Sequence, residues 1–403
     1  MTMKSSSNKL VFSSHENNIL RNWNELPENK NIPRAIGIVS EFNPFHKGHK
    51  YLIETAKSSL NADVVVSIMS GNFTQRGEPA VFNKWERARL AVNNGVDLVL
   101  QIPALCSCAS ADYFAKGSVD ILEGLGAINY LAFGSESGDI GELYSVAEFL
   151  TYDEEKIGEL ISGFLKEGLS YPAARERAIK SLFNEDCGDI LREPNNILAI
   201  EYLLNLDRME PFTVKRAYGG HHESASEIRR EMAASFGSSF AAMEDRYFQL
   251  VKYKVMSSSC KYLESLGSAG EGLGNKLKNE IRFASSRDEL IERVKSKAFT
   301  YTRINRLLAQ AVLGITKKDF NRFHPYVRVL GSSEKGRKYL KTLKKEESIR
   351  IPVVDNINKA VYEYPKLSRL IELDVLESDV YNLISGADSY ENSDYVMHGF
   401  LGK

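Results

Sequence analysis

From residue 35 onward, short apolar runs alternate with longer amphipathic ones. The runs at 35–42, 63–69, 97–102 and 129–134 are almost continuously apolar, as strands covered on both faces of a sheet require. Stretches near 49–60, 84–94 and 111–125 instead repeat apolar residues at helical spacing. This alternation predicts parallel strands joined by right-handed crossover helices, with the ligand crevice beyond the carboxyl ends of the strands. Residues 141–210 read as mostly helical, and 212–217 as one more strand before a helix opening at Ser224 or Ser226. Beyond about 231 the strand signal fades and helical patterns take over, punctuated by Gly and Ser at 267–274. The predicted fold class is α/β: a Rossmann-like domain with a parallel sheet over 34–230, followed by a mainly helical C-terminal domain over 231–403. Residues 1–33, polar and rich in Ser and Asn, are read as a disordered or extraneous leader outside the fold.

Composition narrows the class. At 403 residues the chain has room for two to three domains. Its 43% hydrophobic and 26% charged residues exclude a disordered chain or a disulfide-stapled miniature. Cys106, Cys108, Cys187 and Cys260 form no C-x-x-C pair, so neither a disulfide framework nor a zinc site is expected, and no protein-held metal is predicted. No apolar run approaches the roughly 20 residues that span a bilayer, and no signal peptide is evident. The expected location is cytoplasmic, without a membrane partner.

The sharpest chemical signal is His46-Lys47-Gly48-His49, directly between the first predicted strand and the first helix. Backbone N–H groups at such a helix start favour an anion, Gly48 permits close backbone approach, and two imidazoles can donate to phosphate oxygens. The alternative is a pair of turn histidines packed on their neighbours. After the second strand, the loop 70–79 carries Arg76, and Lys84 follows at a helix start; both suit phosphate or carboxylate, though a solvated charged loop reads the same way. Gly134 and Ser135 close the fourth strand with a close backbone approach and a hydroxyl. Asn196 opens a helix, where it suits adenine or ribose, or simply caps the helix. Ser226 and Arg229 sit at the start of another helix, and Arg216 ends the strand before it.

These residues resemble the HIGH-type signature of the nucleotidyltransferase superfamily. The larger set is similar to one family within it, the bacterial tRNA(Met) cytidine acetate ligases, through the blocks GIVSEFNPFHKGH (37–49), MSGNFTQRGEPAVFNKWERARLAVNNGVDLVLQIP (69–103), SADYFAKGSVDIL (110–122), FGSESGD (133–139), PNNILAIEYL (194–203) and SASEIR (224–229). The resemblance implies an enzyme that activates acetate with ATP as acetyl-adenylate, releasing pyrophosphate, and then acetylates N4 of the wobble cytidine of elongator tRNA(Met). It implies an ATP site on Ile38-Val39-Ser40-Glu41-Phe42-Asn43-Pro44-Phe45-His46-Lys47-Gly48-His49-Lys50-Tyr51-Leu52, on Gly134, Ser135 and Asn196, and on Arg216, Ser226 and Arg229, with His46, His49 and Lys84 as catalytic residues. Mg²⁺ is expected on the triphosphate, held largely by phosphate and water. One departure is Asn83, where the resemblance leads one to expect Asp.

An RNA substrate changes how the charge is read. The formal total is only -1. Residues 276–350, however, hold 20 Lys and Arg against 8 Asp and Glu. Arg303, Arg306, Lys335, Lys338, Lys341 and Lys345 are the expected RNA-backbone contacts within that segment. Two other functions stay open on the residues themselves: a small-molecule adenylyltransferase, and a non-catalytic RNA-binding protein with a nucleotide-sensing fold.

Overall fold

Val, Ile and Leu fill most positions of the runs that become the central strands, and alternate side chains serve opposite faces of one sheet. The structure, a computed structural model, describes residues 31–402 apart from 153, 184, 217–226, 232–236, 355 and 388–392. Nearly all of the predicted leader therefore lies outside the described residues. Five parallel strands form the centre: β1 (Ala35–Ser40), β2 (Val64–Ser70), β3 (Leu98–Ile102), β4 (Tyr130–Ser135) and β5 (Glu210–Lys215), in the spatial order β5-β4-β1-β2-β3. Ile36, Ile38, Val65 and Val99 face the helices α1 (Lys47–Ser59) and α2 (Lys84–Asn93), packing on Ile53, Ala56 and Ala88. Val64, Val66, Ile68 and Leu100 point the other way. A short helix α3 (Ala104–Ser107) leads into α4 (Ala111–Gly124), whose Phe114 and Leu122 cover that second face. Each such buried aliphatic side chain contributes about 1.5–3 kcal/mol, so a one-residue slip of register would exchange both cores at once.

Between β4 and β5 the chain inserts α5 (Ile140–Tyr152), α6 (Glu154–Lys166), α7 (Tyr171–Leu182), α8 (Glu185–Ile190) and α9 (Pro194–Asn205). Ala199 and Leu203 bring α9 back into the core beside α4. The strand order reverses around β1 and β4, and a crevice opens at the carboxyl ends there.

The second half differs from the expected helical domain. The helices α10 (Gly237–Ser257), α11 (Cys260–Ser265), α12 (Leu273–Glu280), α13 (Arg287–Val294), α14 (Tyr301–Leu313) and α15 (Lys317–Phe320) do form a helical body. Its core nevertheless takes in Phe73 and Leu105, from segments that follow β2 and β3. The chain then rejoins the sheet: β6 (Val327–Ser332) pairs antiparallel with β3, and β7 (Val353–Val354) and β8 (Phe400–Leu401) pair parallel with β6. The helices α16 (Glu334–Lys345), α17 (Ile357–Glu363) and α18 (Ser368–Ser385) lie between these strands in sequence. The strand β6 escapes a hydrophobic pattern because Arg328 interrupts it, and Arg328 is buried only because Asp394 pairs with it. Among the described residues no helix is long and apolar enough to cross a membrane.

Candidate functional site

Past the end of β1 the chain reverses at Phe42, whose φ of 44° lies in the left-handed region that a bulky residue rarely adopts. Packing holds it there: the ring is buried and meets Phe45 and His49, each with centroids 5.0 Å away. The turn delivers the chain to α1, which is capped by the two histidines themselves. His46 Nδ1 accepts from the Gly48 amide at 3.0 Å, and His49 Nδ1 accepts from the His46 amide at 3.3 Å. An imidazole whose Nδ1 accepts in this way is neutral and carries its proton on Nε2. Each ring therefore presents an Nε2–H donor. The rings lie 3.8 Å apart at 32°, and burial, then His46 and Arg216, push the His49 pKa well below the usual imidazole range. Gly48 is required by closeness: a Cβ there would stand 2.8 Å from His46 Cε1.

This helix start opens on a cavity of about 2150 Å³. A small-ligand pocket is typically about 300–1,000 Å³, so a nucleotide and part of a larger substrate fit together. His46, His49, Gly134, Arg216 and Arg229 all line it. The Arg216 amide donates to Ser135 O at 2.9 Å, its guanidinium reaches Asn195 Oδ1 at 3.5 Å, and Arg229 donates to Asn43 O at 2.8 Å. Within 38–52, the residues Ile38, Pro44, Phe45 and Lys50 do not line the cavity, whereas Val39 to Asn43, Lys47, Gly48, Tyr51 and Leu52 do. Ile38 is a core residue of the sheet.

Other expected site residues are occupied elsewhere. Lys84 is fully buried, with Nζ at 2.8 Å from both oxygens of Asp394 and 3.0 Å from Gln101 Oε1. It stays out of the cavity, so the geometry gives it a structural role and not the catalytic one expected of it. Asn83 beside it caps α2, accepting from the Glu86 amide at 2.9 Å, a role that the expected Asp would fill equally well. Ser135 pairs with Thr213 Oγ1 at 2.7 Å and accepts from the Gly138 amide. Asn196 Oδ1 accepts from the amides of Glu136 and Ser137 at 2.9 and 3.0 Å, pinning the loop after β4 to the start of α9. Neither Ser135 nor Asn196 lines the cavity, whereas Asn195 does. Ser226 lies outside the described residues.

The expected RNA contacts also divide. Arg303 and Arg306 on α14 line the cavity. Arg303 is held by Ser268 O and Glu271, and burial lowers the Arg306 pKa to about 10. Lys335, Lys338, Lys341 and Lys345 ride α16, which begins at the opposite, amino edge of the sheet, where the Ser333 amide meets Asp97 O just ahead of β3. Lys335 Nζ reaches Asp63 O there, and Lys338 pairs with Glu334 at 2.7 Å.

Two features of the cavity were not singled out in the sequence: the carboxylate chemistry of one residue of the expected ATP stretch, and an ion pair in the wall. Glu41, inside the expected nucleotide stretch, is a cavity carboxylate whose Oε1 accepts from the Gln75 amide at 2.6 Å. Burial pushes its pKa above the usual carboxylate range against the pull of that amide and of Arg76, Arg87 and Arg229. Arg175 and Glu201 form an ion pair in the cavity wall, from α7 and α9. Only tertiary placement separates such residues from ordinary surface charges. Among the described residues no three His, Cys, Asp or Glu side chains gather as a metal site, and the groups nearest the helix start are N–H donors, a set that suits phosphate.

Comparison with known proteins gives a consistent picture. The HIGH Nucleotidyl Transferase family model matches residues 34–239 and 226–395. A tRNA(Met) cytidine acetate ligase of Clostridium novyi is 36% identical over 397 residues, covering 88% of this chain and 96% of the relative. One from Acetivibrio thermocellus is 35% identical, covering 86% and 94%. The crystal structure of Thermotoga maritima TmcAL bound with alpha-thio ATP superposes with a TM-score of 0.85 at 29% identity, covering 92% of this chain and 99% of that one. The apo form of the same protein gives 0.84 at 28% identity, with the same coverage.

Proposed function

We propose, from the premise that this chain belongs to the tRNA(Met) cytidine acetate ligase family of HIGH nucleotidyl transferases, that it joins acetate to tRNA in two steps at the crevice above β1 and β4. In the first, an acetate oxygen attacks the α-phosphorus of ATP, pyrophosphate leaves, and acetyl-adenylate remains. In the second, N4 of the wobble cytidine of elongator tRNA(Met) attacks the acetyl carbonyl and AMP leaves.

The observation that carries this reading is the pair of neutral imidazoles at the start of α1, each with Nδ1 tied to the backbone and both lining the cavity. Two anions must meet in the first step, and fixed donors with nearby guanidinium groups offset their repulsion as charge moves onto the leaving pyrophosphate. Arg216 and Arg229 supply the guanidinium groups. Gly134 leaves the adjacent strand end open to the nucleotide. The ATP analogue in the Thermotoga maritima structure supports ATP as the nucleotide. Magnesium, when bound, would neutralise part of the triphosphate charge, carried on phosphate oxygens and water.

The size of the cavity admits a second substrate beside the nucleotide, and Arg303 and Arg306 face it from the basic segment. They would hold the phosphates flanking the target cytidine, which must leave its stack to reach the acetyl group. These substrates place the reaction in the cytoplasm. The test is mass-spectrometric nucleoside analysis of tRNA incubated with the protein, ATP and labelled acetate. Labelled N4-acetylcytidine should form only when all components are present. ATP turnover that ignores acetate but responds to a nucleotide or to phosphopantetheine would establish a small-molecule adenylyltransferase instead.

A further inference from the structure

Acetyl transfer to an exocyclic amine needs a proton acceptor, and the cavity offers few. His46 and His49 are poorly suited, because each Nδ1 already accepts a backbone hydrogen bond and each Nε2 carries its proton. Among the carboxylates that line the cavity, Glu201 is paired with Arg175, Glu271 with Arg303, and Glu78 accepts from Tyr301 and Asn305. Asp112 at the first turn of α4, Glu227 and Glu231 also line the cavity and stand exposed.

Glu41 differs from all of these. It is the first residue beyond β1, next to the strained turn at Phe42 that fixes its direction. One oxygen is held by the Gln75 amide at 2.6 Å, and among the described residues nothing donates a hydrogen bond to the other. The Arg87 guanidinium fastens the backbone from below by donating to Glu41 O at 2.6 Å. Gln75 in turn reaches Ala109 O at 3.3 Å, tying Glu41 to the segment just before α4. The carboxylate thus lines the same cavity as His46, His49, Arg303 and Arg306, and it holds the loop whose Gly77 lies against the Arg306 backbone.

We infer that Glu41 is the general base of the second step, an inference that rests on the function proposed above. The N4 lone pair forms a bond to the acetyl carbonyl carbon, the bond from that carbon to the phosphate oxygen of AMP breaks, and AMP leaves with the electron pair. One N4 proton passes to the free oxygen of Glu41 and from there to solvent. The groups that set its titration are Arg76 after β2, Arg87 on α2 and Arg229, which favour the carboxylate, against burial, which disfavours it.

The experiment supplies synthetic acetyl-adenylate and tRNA directly, so that the adenylation step is bypassed, and follows single-turnover acetylation across pH. Wild type should transfer the acetyl group with a rate that rises as its base ionises. Glu41→Gln, which keeps an acceptor for the Gln75 amide, should be slower by about 10²–10⁴-fold and lose that pH limb. Glu41→Asp, one methylene short, should be slower yet keep the limb, and it serves as the second variant should Glu41→Gln melt below wild type. Transfer by Glu41→Gln at the wild-type rate with the wild-type pH profile would overturn the inference, as would loss of the limb in Glu41→Asp. Failure of wild type itself to acetylate tRNA from acetyl-adenylate would overturn the proposed function instead.

Discussion

The molecule holds two clusters of polar and ionisable side chains, and they do opposite things. In the crevice, His46, His49 and Glu41 each have one side-chain atom fixed by a backbone amide and line the cavity. In the interior, Lys84, Arg328 and Ser378 all donate to the one buried carboxylate of Asp394. Burial raises the Asp394 pKa, but Lys84 and Arg328 outweigh it and hold the group below the usual carboxylate range. Glu377 and Asp374 extend this second cluster to the loop amides of Phe73 and Ala104 at 2.8 and 2.7 Å. The first cluster is arranged to bind something; the second ties the C-terminal segment to the loops that shape the cavity.

The largest effect should come from the second cluster. Lys84→Ala leaves Asp394 short of a buried cation and should cost about 3–5 kcal/mol, read as a lower denaturation midpoint. A variant as stable as wild type that fails to acetylate tRNA would move Lys84 into the crevice and end the contrast. A smaller effect distinguishes the clusters by pH. Burial, with Asp374 nearby, pushes the Glu377 pKa up to about 7, with Lys84 pulling it down. A carboxyl raised above its unfolded value of 4.5 contributes stability that is present below that value and lost as pH climbs through about 7. Glu377→Gln should therefore be more stable than wild type at pH 8, by about 3 kcal/mol, and by less than about 1 kcal/mol at pH 5. An equal offset at both pH values would contradict that. The smallest effect concerns the amino edge of the sheet. Replacing Lys338 and Lys341 by Gln should lower the salt slope of tRNA binding by about 1–2 without altering ATP turnover; an unchanged slope would remove α16 from the RNA surface.

The central strands and the histidine pair were legible in the sequence for a local reason. Strands such as Val64–Ser70 are buried throughout and mostly apolar because both faces are covered, and the pair at 46 and 49 is defined by spacing alone. What escaped depends on distant partners. Lys84 at a loop exit looks the same whether it faces a ligand or the core, and Asp394, which decides the matter, lies 310 residues away. The strand Val327–Ser332 was hidden by Arg328, which the same aspartate neutralises. Ser135 at a strand end and Asn196 at a helix start are polar residues such as a nucleotide site uses, yet their atoms close a loop. The lysines of the basic segment were countable, but which end of the sheet carries them follows only from the antiparallel pairing of β6 with β3.

The central claim is that the imidazoles at the start of α1 activate acetate with ATP, and acetate-dependent exchange of pyrophosphate into ATP tests it without tRNA. The informative variant is His46→Asn, since Asn caps a helix well and preserves the fold while removing Nε2–H. Wild type should exchange only when acetate is present, and His46→Asn should melt like wild type yet exchange about 10²–10³-fold more slowly, the usual effect of losing one preorganised donor. Exchange that does not need acetate, or that survives undiminished in a folded His46→Asn, would contradict the account.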